Sequence, residues 1–186
     1  MRYSPVFAFM VTILFCGLCI QPVLALSAEE WVNSGNQLNQ QGRYQEALQA
    51  FENAINLDPG NKGAWIGKGY TLQSLNRLQE SLDAFNKALE IDSNNPWSWS
   101  GKSEILNRMG RSVEALSAAE QALAIDPTKA NFWDSKGTAL FSLNRLQESL
   151  DAYNKALEID SSNPWSWNGK SGVLNQMGRS AEALSA

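Results

Sequence analysis

Histidine is absent from the 186 residues, and the only two cysteines, Cys16 and Cys19, lie within the first 25. Beyond residue 25 there is therefore no thiol or imidazole nucleophile, no histidine general base and no Cys/His metal site. Nor can a disulfide framework staple that part of the chain, so its stability has to come from packing. Lysine and arginine number 15 against 19 acidic residues, and no basic run occurs. A nucleic-acid surface needs cations gathered on one face, so a nucleic-acid partner is excluded. Proline is sparse too: beyond residue 25 it occurs only as Pro59, Pro96, Pro127 and Pro164, each isolated between longer proline-free segments. This catalytic inventory is too bare for an enzyme, and nothing in it holds a small-molecule cofactor.

The first 25 residues differ in kind from the rest. Arg2 is followed by an uncharged, largely apolar stretch from Val6 to Ile20, then Gln21-Pro22 and Val23-Leu24-Ala25. That layout reads as a secretory signal peptide cut after Ala25. An uncleaved membrane anchor over residues 6–26 is the alternative, because the stretch approaches the roughly 20 apolar residues that span a bilayer. Either reading places the protein outside the cytoplasm, secreted or at the cell surface.

What fills the remainder is a ladder. Trp31, Trp65, Trp99, Trp133 and Trp167 stand 34 residues apart without slippage. The same step carries a small residue (Gly35, Gly69, Ser103, Gly137, Ser171) and a leucine (Leu38, Leu72, Leu106, Leu140, Leu174). An active site has no reason to recur at a fixed period, whereas a unit that buries its faces against its neighbours does. The units are 28–61, 62–95, 96–129 and 130–163, with a partial fifth at 164–186.

Within a unit the apolar residues step by three and four, which predicts two helices, at 29–41 and 44–57 in the first copy. Between them stand only Gly or Asn (Gly42, Asn76, Gly110, Asn144, Gly178), the residues that enter the left-handed conformation at least cost. Asn95-Pro96 and Asn163-Pro164 look like an N-cap followed by proline in the first turn. Phe51, Phe85 and Tyr153 are expected to fill the seams between units, and Ala119 to leave a weaker seam in the third. A second period lies over the first: residues 74–118 recur as 142–186 with 38 of 45 positions identical, a cassette copied whole.

The Trp-x3-Gly-x2-Leu run, the Gly between helices, the Ala-x3-Phe-x2-Ala run and the terminal Pro resemble the tetratricopeptide repeat family. The resemblance covers 28–186. It implies an all-α fold, a right-handed superhelical α-solenoid of antiparallel helix pairs. It also implies a concave groove, lined mainly by first helices, that holds a peptide or helix of a partner protein. Members that clamp a C-terminal carboxylate use groove lysines, whereas the matching places here are Val32, Asn36, Ile66, Tyr70, Ser100 and Glu104, so that clamp is not expected.

Positions constant in every copy serve packing, so first-helix positions that vary between copies can encode a ligand. On that ground the candidate binding residues are Tyr70, Trp97, Glu104, Asn107, Asp134, Phe141 and Trp165. Aromatics dominate interface hot spots, though Trp97 and Trp165 could equally pack at a helix start beside Pro96 and Pro164. Lys68, Lys102, Lys136 and Lys170 repeat as well, and are read as stems laid along a neighbour rather than a basic stripe. The string from Pro96 to Ser103, repeated at Pro164 to Ser171, nearly spells a phosphate loop, but it opens on proline and sits in a predicted helix. The cassette breaks off in mid-helix at Ala186, so a fragment of a longer repeat protein, or self-association through an uncapped C-terminal end, is a further expectation.

Overall fold

The structure is a computed structural model and describes residues 26–179. The signal or anchor segment and residues 180–186 of the fifth unit lie outside the described residues.

Among the described residues the fold is helical throughout. The helices are α1 (Ala28–Gln40), α2 (Tyr44–Leu57), α3 (Lys62–Ser74), α4 (Leu78–Ile91) and α5 (Pro96–Arg108). They continue with α6 (Ser112–Ile125), α7 (Ala130–Ser142), α8 (Leu146–Ile159) and α9 (Pro164–Gln176). Each odd-numbered helix pairs with the next within one unit, giving an α-solenoid of antiparallel pairs. No helix among the described residues is long and apolar enough to cross a membrane.

The turns follow the reasoning from residue type. Gly42, Gly110 and Gly178 take φ of 73°, 76° and 74°, and Asn76 and Asn144 take 58°. That left-handed residue lets the chain reverse within three residues. Asn95 accepts from the Ser98 amide at 2.9 Å, and Asn163 from the Trp165 amide at 2.9 Å, each with proline opening the helix behind it.

One aromatic ring per seam holds neighbouring units together. A Cβ added at Gly35 or Gly67 would come within 2.7 or 2.3 Å of the Phe51 ring, so these glycines exist to admit it. Phe85 lies in the same way between Gly69 and Gly101, and Tyr153 between Gly137 and Gly169. In the third unit the ring is gone, but so are the glycines: Ala119 stands where Ser103 and Ser135 replace them. Ala119 is fully buried and α6 still packs on both α5 and α7, with Ser103 and Ser135 in place of the glycines that admit a ring elsewhere.

A second exchange was invisible until the helices were paired. Ser81 donates to the Gly69 carbonyl, Ser103 to the Ala115 carbonyl and Ser149 to the Gly137 carbonyl, each at 2.7 Å. One serine bridges the pair, from either helix, and its partner position stays small. The tryptophans also share one niche. Trp65, Trp99, Trp133 and Trp167 donate their indole N–H to the carbonyls of Pro59, Ser93, Pro127 and Ser161, at 2.8–2.9 Å. Each ring thus ties the start of its own unit to the linker from the preceding one.

First helices lie against first helices (α1 with α3, α3 with α5, α5 with α7, α7 with α9), while among the described residues the backbones of second helices from different units stay further apart. The inner wall is therefore the short side of a curve, and it is made of α1, α3, α5, α7 and α9.

Candidate functional site

On that inner wall lies a concavity of about 640 Å³, bounded by α3, α5, α7, α9 and the linker that precedes α9. Six of the seven residues picked out from the sequence line it: Tyr70, Trp97, Glu104, Asn107, Asp134 and Trp165. Phe141 does not. It packs half-buried against Leu150, Tyr153, Val173 and Leu174, sealing α7 to α8 and α9. Its position varies between copies, but the variation answers a neighbouring core rather than the groove.

The aromatic part of the wall is graded in exposure. Tyr70 presents its ring edge-on to Phe85, with centroids 5.0 Å apart, and its hydroxyl donates to the Trp97 carbonyl at 3.3 Å. Burial, with the Glu104 charge adding to it, pushes the Tyr70 phenol up to about 12. Trp97 is 42% exposed and meets Phe132 in an edge-to-face contact, with ring centroids 4.9 Å apart. Trp165, the same position two units on, is 77% exposed. Neither tryptophan is simply a packing residue at its helix start.

The polar part is acidic. Glu104 accepts a hydrogen bond from the Gln73 side-chain amide, and its other oxygen accepts none from the described residues. Water reaches it, yet the surrounding wall raises its carboxyl, with the Gln73 bond and the Arg108 charge acting the other way. Asp134 accepts from Asn163 at 2.8 Å and from Ser166 at 2.6 Å, stitching α7 to the start of α9. Burial also raises its carboxyl, against those two bonds. Asp160 is the third carboxylate of the lining, and Arg108 its one cation. The Arg108 guanidinium is turned back toward the preceding unit, donating to the Gln73 carbonyl at 3.3 Å and the Asn76 side chain at 2.9 Å. Asn107 Oδ1 and Gln73 Oε1 are buried without a hydrogen-bond partner.

The repeated lysines are elsewhere. Lys68, Lys102, Lys136 and Lys170 each lie over the tryptophan of their own unit, 5.1–6.0 Å from the ring centroid. Two of them also pair with the second helix of the preceding unit, Lys68 with Glu52 at 3.0 Å and Lys136 with Glu120 at 3.2 Å. They are packing residues with a charged tip. The string resembling a phosphate loop forms the first turns of α5 and α9, with no strand before it and no loop of free amides. Among the described residues no acidic, Cys or His group is placed to hold a metal ion.

Sequence reasoning passed over Ser103, Arg108, Ser135 and the linker residues Asp160, Ser162 and Asn163, all of which reach the concavity. Arg108 could have been found, since it stands one turn after Glu104 and changes to Gln176 in the copied cassette. The linker residues gave no such signal, because their place in the wall depends on how α9 docks.

Fold and groove together define a helical-repeat solenoid with a concave inner wall. Two family models match the chain, one described as tetratricopeptide repeat over residues 34–96 and one as TPR repeat over residues 137–178. Over those two stretches the chain is similar to the tetratricopeptide repeat. Among solved structures, a thermophilic TPR protein from Thermus thermophilus matches with a TM-score of 0.78 and 21% identity, over 86% of this chain and 87% of that one. MamA from Desulfovibrio magneticus matches at 0.72 and 19% identity, over 85% and 89%. YrrB, described as a TPR protein with an unusual peptide-binding site, matches at 0.65 and 20% identity, over 86% and 82%. At these identities the likeness concerns the fold alone. No curated protein matches the sequence.

Proposed function

We propose that this chain is a non-catalytic scaffold that holds an extended peptide or a helix of a partner protein against its concave inner wall. The observation that carries the reading is the concavity of about 640 Å³, walled by the variable first-helix residues, with Trp97 and Trp165 exposed on it. Such a wall offers large apolar faces at low entropic cost beside polar groups that set orientation. Substituting Trp165→Ala tests it, because that ring supports little of the fold: partner capture should weaken while helicity and melting stay unchanged. Unaltered capture by both Trp165→Ala and Trp97→Ala would remove the groove from the function. The leading segment, read as a signal peptide or an anchor over residues 6–26, puts the scaffold outside the cytoplasm, and mass spectrometry of the native N-terminus tests that export.

A second reading is self-association, favoured by one contrast. The Trp97 indole meets Phe132 of the next first helix edge to face, whereas the equivalent Trp165 is left open by the described residues. A second copy stacked on α9 would cover it. Light scattering across a concentration series tests this, and a monomer throughout would exclude it.

A further inference from the structure

We infer that the groove selects a cationic segment, an extended stretch rich in lysine or arginine, with one basic side chain seated against Glu104 beside the aromatic wall of Tyr70 and Trp97. This rests on the groove reading above and gives its partner a chemistry.

Three observations converge on it. The lining holds three carboxylates, Glu104, Asp134 and Asp160, against one guanidinium, and that guanidinium is occupied by Gln73 and Asn76 of the preceding unit. The remaining first-helix cations are engaged elsewhere, Lys62 with Asp92 and Lys68, Lys102, Lys136 and Lys170 over tryptophan rings, and none of them lines the concavity. The groove therefore presents a net anionic field that Arg108 offsets only in part, and clefts with low-dielectric walls focus such a field.

The second observation is at Glu104. One of its oxygens is held by Gln73, which fixes the carboxylate, and the other takes no hydrogen bond from the described residues. The surrounding wall raises its carboxyl, and an arriving ammonium or guanidinium would favour the charged form. Tyr70 and Trp97 supply the π faces over which a cation is held when it leaves water. The third observation is that the Trp97 ring, 42% exposed, stands open on the same wall as Glu104.

The test uses the full chain and three capped fluorescent peptides of equal length, in which leucine alternates with lysine, glutamine or glutamate. Anisotropy should show the lysine peptide binding tightest and the glutamate peptide weakest, with the lysine preference fading as salt is added. Glu104→Gln, which keeps the shape and the Gln73 contact, should lower lysine-peptide affinity about tenfold and leave the glutamine peptide unchanged. Glu104→Lys should invert the preference, and serves if the milder change is too small to read. Binding of the lysine and glutamine peptides that is equal and sensitive only to Trp97→Ala would overturn the cationic assignment while leaving the groove as the site. Absence of binding by all three peptides would overturn both readings.

Discussion

Helices α5 and α9 belong to two copies of one cassette and differ at four of 13 positions, and the pattern of those four separates fold from recognition. One change, Ile105 to Val173, is in the core and stays apolar and fully buried. The other three are Ser100 to Asn168, Glu104 to Gly172 and Arg108 to Gln176, spaced by four and so stacked on one helical face. In α5 that face is the floor of the concavity. The packing residues kept their apolar character; the face turned inward was rewritten. In α9 the charge at that face has gone, and a Cβ at Gly172 would meet nothing within 4 Å.

The largest effect expected from setting the copies against one another concerns the seams. Phe85→Ala should destabilise the fold by about 3–5 kcal/mol in chemical denaturation, as loss of a fully buried ring does. Adding Gly101→Ser to that variant should restore part of the loss, because it installs the arrangement that Ala119 and Ser135 already use. In the wild-type background the same Gly101→Ser should be destabilising, since its Cβ would fall 2.4 Å from the Phe85 ring. A serine that is harmful alone and helpful in combination is a coupling that only shared volume explains. Additive effects would refute it.

Next comes exchange of the inner faces. The triple change Ser100→Asn, Glu104→Gly, Arg108→Gln turns α5 into the surface of α9 and should abolish the preference for a lysine peptide, read by anisotropy. Gly172→Glu does the converse and should strengthen lysine-peptide binding several-fold at the α9 end. The tie at the linker is weaker still. Trp99→Phe removes the indole bond to the Ser93 carbonyl and should cost about 1 kcal/mol. An equal loss is expected for Trp133→Phe, and a marked inequality between the two would show that the tryptophan niches are not equivalent. The smallest effect is Gly172→Ala, which should stabilise α9 by about 0.5–1 kcal/mol through helix propensity in open space.

Much of this was legible because repetition writes the same physics several times over. The first pair, expected at 29–41 and 44–57, is found at Ala28–Gln40 and Tyr44–Leu57. Gly42 and Asn76 announced the reversal between helices because few residues tolerate that backbone conformation. The inner-wall residues Tyr70, Trp97, Glu104, Asn107, Asp134 and Trp165 were found by comparing copies, which separates what varies from what must stay. Phe141 shows where the comparison stops working. A position can vary because the core beside it varies, and α8 carries Tyr153 where α6 carries Ala119. The Ala119 seam makes the same point: what a missing ring does depends on whether its glycines remain, and here Ser103 and Ser135 stand in their places. Volume shared between distant residues is a property of pairs, and a single position in a sequence does not display it.

The closer approach of first helices than of second helices from different units also shapes how the stack would bend. Each seam resembles a leaf of a bellows, drawn together along the inner edge. Tilt at one leaf would add to tilt at the next, so small adjustments at several seams would change the width of the mouth while the hydrogen bonds within each pair stay as they are.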